Sequence, residues 1–223
     1  MNNLAAYIDH TYLKPDATAA HIEKLCGEAL EHQFRAVCVN GVWVRDCKRW
    51  LVGTPVSISA VCGFPLGAGA SAAKAYEAEL AADEGATEID MVMQIGQFLE
   101  GRYAEVEADI RTIVNAVNGA AIVKVILETG YLSDEQIVEA CKLAEQAGAH
   151  YVKTSTGFGP GGATVHHVRL MRGAVSEAVK VKASGGIRDY ATAVAMIEAG
   201  AERLGTSSGV AIVSGAAGDQ SSY

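Results

Sequence analysis

Short apolar runs alternate with longer amphipathic stretches from one end of the chain to the other. The apolar runs are "AYIDHT", "RAVCVN", "SISAVCGF", "EIDMVM", "AIVKVILE", "YVKTST", "VKVKAS" and "RLGTSS". Their length and β-branched content fit strands buried on both faces. Between them the apolar positions recur at helical spacing over 19–31, 42–51, 71–84, 102–117, 133–147, 164–176 and 189–198, with a short last stretch near 209–214. In "LSDEQIVEACKLAEQAG", Ser133 and Gln136 make a capping box ahead of the fifth helical stretch. "DEGATEID", "QAGAHYVK" and "EAGAERLG" each end a helix on glycine, at Gly85, Gly148 and Gly200, and pass directly into a strand.

Strand and helix alternating eight times predict parallel βαβ units in one α/β domain. At this length the economical closure is a (β/α)8 TIM barrel over residues 1–214, followed by a small, polar tail at 215–223. A doubly wound open sheet is the alternative. The bulk properties narrow the function classes. The chain has 223 residues, 50% hydrophobic and 20% charged, with a formal net charge of −8 and pI ≈ 5.2. No basic footprint for nucleic acid is expected from that balance, although backbone N–H groups can still hold an anion locally. Five scattered cysteines without a C-x-x-C pair read as free thiols in a reducing cytoplasm. The N-terminus lacks a secretory pattern, and no apolar run approaches the ~20 residues of a membrane span. A cytoplasmic protein without membrane partners is the expectation.

Three charged residues sit where buried strands should carry none. Side chains alternate along a strand, so Lys153 faces away from Val152, Lys182 from Val181 and Asp90 from Ile89. With the valines and isoleucine packed outward on helices, both amines and the carboxylate point into the barrel. Burial and a neighbouring cation lower a lysine's basicity, which prepares it to attack a carbonyl and form a Schiff base. The same spacing also fits a buried ion bridge to Asp90 or Glu128. Lys124 is a third candidate amine, deeper in its strand, and Asp9 ends the first strand as a polar partner. Cys38 faces the interior or simply packs there. The glycine-rich loops "TGFGPGG", "SGGIR" and "LGTSSG" offer backbone N–H groups, with Ser207 and Ser208 hydroxyls, for a phosphate. The histidines show no HxH or HExxH spacing, so no metal site is expected.

The phrases "IDHT.LKPDAT", "AVCVN", "GFPLGA", "EIDMV..IG", "KVILETGYLSDEQI", "VKTSTGF..GGAT", "VKASGGIRDYATA" and "LGTSSGVAI" resemble the 2-deoxyribose-5-phosphate aldolase family, class I aldolases on a (β/α)8 barrel. The resemblance implies that Lys153 forms the Schiff base, that Lys182 lowers its basicity, and that Asp90 activates a proton-shuttling water. It implies reversible cleavage of 2-deoxy-D-ribose 5-phosphate to acetaldehyde and D-glyceraldehyde 3-phosphate, with no metal or organic cofactor. Gly157, Gly185, Gly186 and Gly205, with Ser207 and Ser208, would hold the phosphate, and Tyr223 would assist proton transfer from the tail. A homodimer is the expected assembly. Tyr12, Gln94, Gly41 and Phe158 depart from the family pattern around the mouth, which bears on substrate preference. Two rivals share the barrel: a phosphosugar epimerase or isomerase with Asp90 as base, and a silent barrel that binds a phosphorylated metabolite.

Overall fold

The computed structural model describes residues 3–215. Eight strands, β1 (Ile8–Tyr12), β2 (Ala36–Val39), β3 (Ser57–Cys62), β4 (Glu88–Val92), β5 (Ile122–Ile126), β6 (Tyr151–Lys153), β7 (Lys180–Ser184) and β8 (Arg203–Thr206), pair in parallel in sequence order. β8 returns to β1 through Ile8 and Leu204, so the sheet closes into a barrel. Closure excludes the doubly wound alternative.

The helices are α1 (Ala19–Glu31), α2 (Val44–Leu51), α3 (Ser71–Glu84), α4 (Ile95–Leu99), α5 (Tyr103–Ala116), α6 (Asp134–Gln146), α7 (Val165–Ala174), α8 (Tyr190–Glu198) and α9 (Gly209–Ser214). The expected stretch at 42–51 divides into a tight turn, Gly41–Trp43, and α2. α4 was not anticipated, because five residues are too few to display a helical period. The capping box before α6 is formed: the Gln136 N–H donates to Ser133 Oγ at 3.3 Å and the Ser133 N–H donates to Gln136 Oε1 at 2.9 Å. Gly85, Gly148 and Gly200 hold φ values of 122°, 90° and 112°, the positive region that lets each chain turn directly into the next strand.

The apolar core lies between strands and helices rather than inside the barrel. Ile89, Val152 and Val181 point outward into it and are fully buried, alongside Ile110 and Ile137 from the surrounding helices. This outward packing forces the alternate residues inward. It is the reason the polar positions of the strands meet one another. Among the described residues no helix is long and apolar enough to cross a membrane.

Candidate active site

Register carries the inward residues to common levels. Lys153 on β6 pairs in register with Lys182 on β7, which pairs with Arg203 on β8, and Asp90 on β4 pairs with Lys124 on β5. All five side chains therefore face one small interior volume. Asp90, which is fully buried, is its hub. Its Oδ2 accepts from Lys153 Nζ at 2.8 Å and from Lys182 Nζ at 2.7 Å. Its Oδ1 accepts from Lys124 Nζ at 2.6 Å and from Ser59 Oγ at 2.9 Å. The structure thus brings Lys153, Lys182, Asp90 and Lys124 together, as the alternation predicted.

A deeper layer completes the cluster. Lys182 Nζ also donates to Asp9 Oδ2. Asp9 Oδ1 accepts from Arg203 Nε at 2.8 Å, and the Arg203 guanidinium reaches Glu88 at 2.8 and 3.2 Å. Lys124 Nζ lies 2.6 Å from Glu88 Oε2. Arg203, Glu88 and Ser59 were not singled out in the sequence. A signal existed for Glu88, which stands two residues before Asp90 and so shares its inward face.

The electrostatics separate the amines. Burial presses Lys153 below its ordinary value; the Asp90 carboxylate pulls it back up, and the Lys182 charge presses it down again, leaving it lowered. Burial also presses on Lys182, but Asp9 and Asp90 outweigh it and raise this ammonium above its ordinary range. Burial pushes the Asp90 carboxyl up, yet Lys124, Lys153 and Lys182 prevail and hold it well below the carboxylate range. Access differs in the same direction. Lys153 keeps 3% exposure, whereas Lys182 and Lys124 keep none.

The mouth above this cluster is built from strand ends. Cys38 packs with Leu13 and Val61 in a small apolar group against which Phe64 leans. Desolvation, followed by the Asp90 charge, raises the Cys38 thiol. Gly157, Gly185 and Gly186 take φ values of 87°, 85° and 79° in the loops after β6 and β7, a conformation that suits glycine. Gly205 lies within β8, in the run read as a strand, rather than in the loop that follows it. A side chain there would stand 3.2 Å from Lys182 Cε, so this glycine leaves room for the lysine stem. Ser207 is exposed beside the nearly buried Ser208, whose N–H donates to Thr206 Oγ1 at 2.9 Å. The Thr206 hydroxyl in turn donates to the Ile187 carbonyl at 2.7 Å, tying the loops after β7 and β8 together. Tyr223 lies outside the described residues, as does the rest of the tail from 216 onward.

The sequence offered Glu128 only as an ion-bridge partner for a buried lysine. Glu128, just past β5, holds the left-handed conformation (φ 54°, ψ 61°) and accepts from the Thr156 N–H at 3.2 Å and from its hydroxyl. It thereby braces the turn that follows Lys153. A groove of about 270 Å³ opens beside it, lined by Pro65, Leu66, Leu99, Tyr131 and Phe158, and Phe158 meets Phe64 edge-on at 5.4 Å. Among the described residues, no group of three His, Cys, Asp or Glu is arranged to hold a metal ion.

A closed parallel barrel with several amines and carboxylates sealed beneath the C-terminal ends of its strands is the architecture of a (β/α)8-barrel enzyme. Comparison with known proteins makes this specific: the chain belongs to the DeoC/LacD family of aldolases, whose model matches residues 3–215. It is 55% identical over 215 residues to deoxyribose-phosphate aldolase of Carboxydothermus hydrogenoformans, covering 95% of this chain and 94% of that one. It is 54% identical over 221 residues to the Brevibacillus brevis enzyme of the same name, covering 99% of this chain and all of that one (100%). Among solved structures, the tetrameric deoxyribose phosphate aldolase of Aeropyrum pernix superposes with a TM-score of 0.88 at 34% identity, covering 95% of this chain and 89% of that one. An aldolase described as QR15 superposes with a TM-score of 0.92 at 41% identity, covering 96% of each chain.

Proposed function

We propose that this chain is a class I aldolase that reversibly cleaves 2-deoxy-D-ribose 5-phosphate to acetaldehyde and D-glyceraldehyde 3-phosphate. The observation that carries the reading is the asymmetry among the buried lysines. Lys153 alone combines lowered basicity, a single carboxylate contact and the last position of its strand, with 3% of its surface left exposed. The DeoC/LacD family and the shared name of the curated relatives point to the same reaction.

In the cleavage direction, the neutral Lys153 amine adds to C1 of the open-chain sugar. Loss of water gives an iminium, which withdraws electrons from the neighbouring bond. A base removes the proton of the C3 hydroxyl, the C2–C3 bond breaks, and its electron pair forms an enamine on Lys153. D-glyceraldehyde 3-phosphate departs. The enamine takes a proton at C2, and water releases acetaldehyde and the free amine. Asp90 is proposed to move these protons through a water, and Lys182 to stay cationic so that Lys153 remains neutral. Gly157, Gly185 and Gly186, with Ser207 and Ser208, are proposed to bind the phosphate; Lys124, Asp9 and Cys38 are proposed to support the amines. The family resemblance supports a role for Tyr223 in proton transfer and a homodimer, the chain pattern supports a single domain at 1–214 followed by a tail at 215–223, and the scattered cysteines support a cytoplasmic location.

Aldehyde release from 2-deoxy-D-ribose 5-phosphate tests the reading. The wild-type chain should cleave it, and Lys153→Leu should lose at least about 10³-fold in kcat, because no other group replaces a covalent nucleophile. Cleavage within tenfold of wild type in that variant would remove Lys153 from the mechanism. Epimerisation without aldehyde release would replace the aldolase with the proton-transfer rival.

A further inference from the structure

The interior charges form a closed circuit. Lys182 Nζ contacts Asp9 and, at 2.7 Å, Asp90. Asp90 contacts Lys124 at 2.6 Å, and Lys124 contacts Glu88 at 2.6 Å. Glu88 contacts Arg203 at 2.8 Å, and Arg203 Nε returns to Asp9 at 2.8 Å. Six groups from five strands thus alternate in sign, every one at most 3% exposed. Three cations face three carboxylates, so the circuit is neutral.

Lys153 is attached to this circuit as a seventh ionisable group. It reaches only Asp90, whose oxygens already serve Lys182, Lys124 and Ser59. Each cation of the circuit touches two carboxylates within 2.8 Å or less, while Lys153 has a share in one. A protonated Lys153 would leave a buried cluster with one uncompensated positive charge, which a low-dielectric interior penalises strongly. Proton loss from Lys153 removes that charge and leaves every other pair intact. The Cys38 thiol from β2 and Glu128 beyond the end of β5 also act on Lys153.

We propose that Arg203 and Glu88 are positioning residues for the aldolase reaction: lying below the reacting atoms, they set the charge of the circuit and so tune the proton affinity of Lys153, Arg203 lowering it and Glu88 raising it. Glu88 and Arg203 are the first residues of β4 and β8, at the end of the barrel away from the loops that follow the strands. Their influence is electrostatic and passes through Asp9, Lys182, Lys124 and Asp90. The inference rests on Lys153 being the nucleophile, and its test separates the two.

The readout is the rate of cyanoborohydride trapping by acetaldehyde as a function of pH, with the modified peptide mapped. Comparison between variants removes the pH dependence that belongs to the reagents. Glu88→Gln deletes a negative charge, so the midpoint for Lys153 should fall by about one pH unit, roughly a tenfold change in rate on the acidic limb. Arg203→Met deletes a positive charge, so the midpoint should rise by a similar amount. The double variant restores balance and should return near the wild-type midpoint. Arg203→Lys keeps the charge but loses the planar fork, and should also stay near wild type. A purely structural role for these residues would lower the rates without moving the midpoints in opposite directions. Midpoints that coincide in the single variants, or an Arg203→Lys shift equal to that of Arg203→Met, would overturn the proposal. If the methionine or glutamine variants do not fold, the lysine variant alone decides: a midpoint displaced by a pH unit or more overturns it, and an unmoved one supports it. An adduct that maps away from Lys153 in the wild-type chain would instead overturn the aldolase reading itself.

Discussion

At the residue scale, Asp90 does several things because it is buried and surrounded. Four donors converge on its two oxygens, so the carboxylate is satisfied and its position is fixed by the lysines it orders. The phosphate end of the site is proposed to work differently, through hydroxyls and backbone N–H groups near Ser208. A carboxylate at this point should oppose a phosphate without disturbing the amines. Ser208→Asp is therefore expected to raise KM for 2-deoxy-D-ribose 5-phosphate by tenfold or more, and to leave 2-deoxy-D-ribose within about threefold. Steady-state kinetics on both sugars check this, and equal losses would detach Ser208 from phosphate binding. Much at this scale was legible in the chain. A lysine in "YVKTST" or "VKVKAS" stands out because its neighbours are apolar, and strand alternation gives its direction. Arg203 was not legible in the same way. It opens its strand, where a charge reads as a solvated end, and only barrel closure reveals that this position lies inside.

At the element scale, the loops act as one laced surface. The Ala163 N–H donates to the Ser184 and Gly185 carbonyls at 3.1 and 3.0 Å, joining the loop after β6 to that after β7. Gly162 makes the approach possible: a Cβ there would stand 2.3 Å from the Gly185 carbonyl oxygen. Gly162→Ala should therefore displace the loop after β7 and raise KM for the phosphorylated sugar several-fold. Acetaldehyde trapping on Lys153 should remain within about twofold, since the strands beneath do not move. Unchanged KM, or trapping that falls in step with it, would contradict this division of labour. The strands and the longer helices were readable, because their periods and glycine stops agree, whereas the five-residue α4 was not. β6 is shorter than its apolar run suggests, ending at Lys153 rather than Thr156. Thr154 still bonds to the Lys182 and Thr129 backbone, but the Thr156 N–H turns to the Glu128 carboxylate, and such a bond between distant segments leaves no periodic trace in a sequence.

At the scale of the whole molecule, the barrel separates two kinds of interior. The apolar layer between strands and helices supplies the burial that holds the fold together. The barrel's own interior is given over to charge, which contributes little net stability and is proposed to set which amine carries a proton. The chain pattern indicated the first layer directly and the second only in part, because charge balance depends on side chains from strands far apart in sequence. The central claim is that one lysine among several is neutral and open to an aldehyde. Treatment of the wild-type chain with acetaldehyde and borohydride, followed by intact-mass analysis and peptide mapping, tests it most directly. A single ethyl group on the peptide carrying Lys153 is the predicted result. The contradicting result is an adduct on Lys182 or Lys124, or no adduct at all.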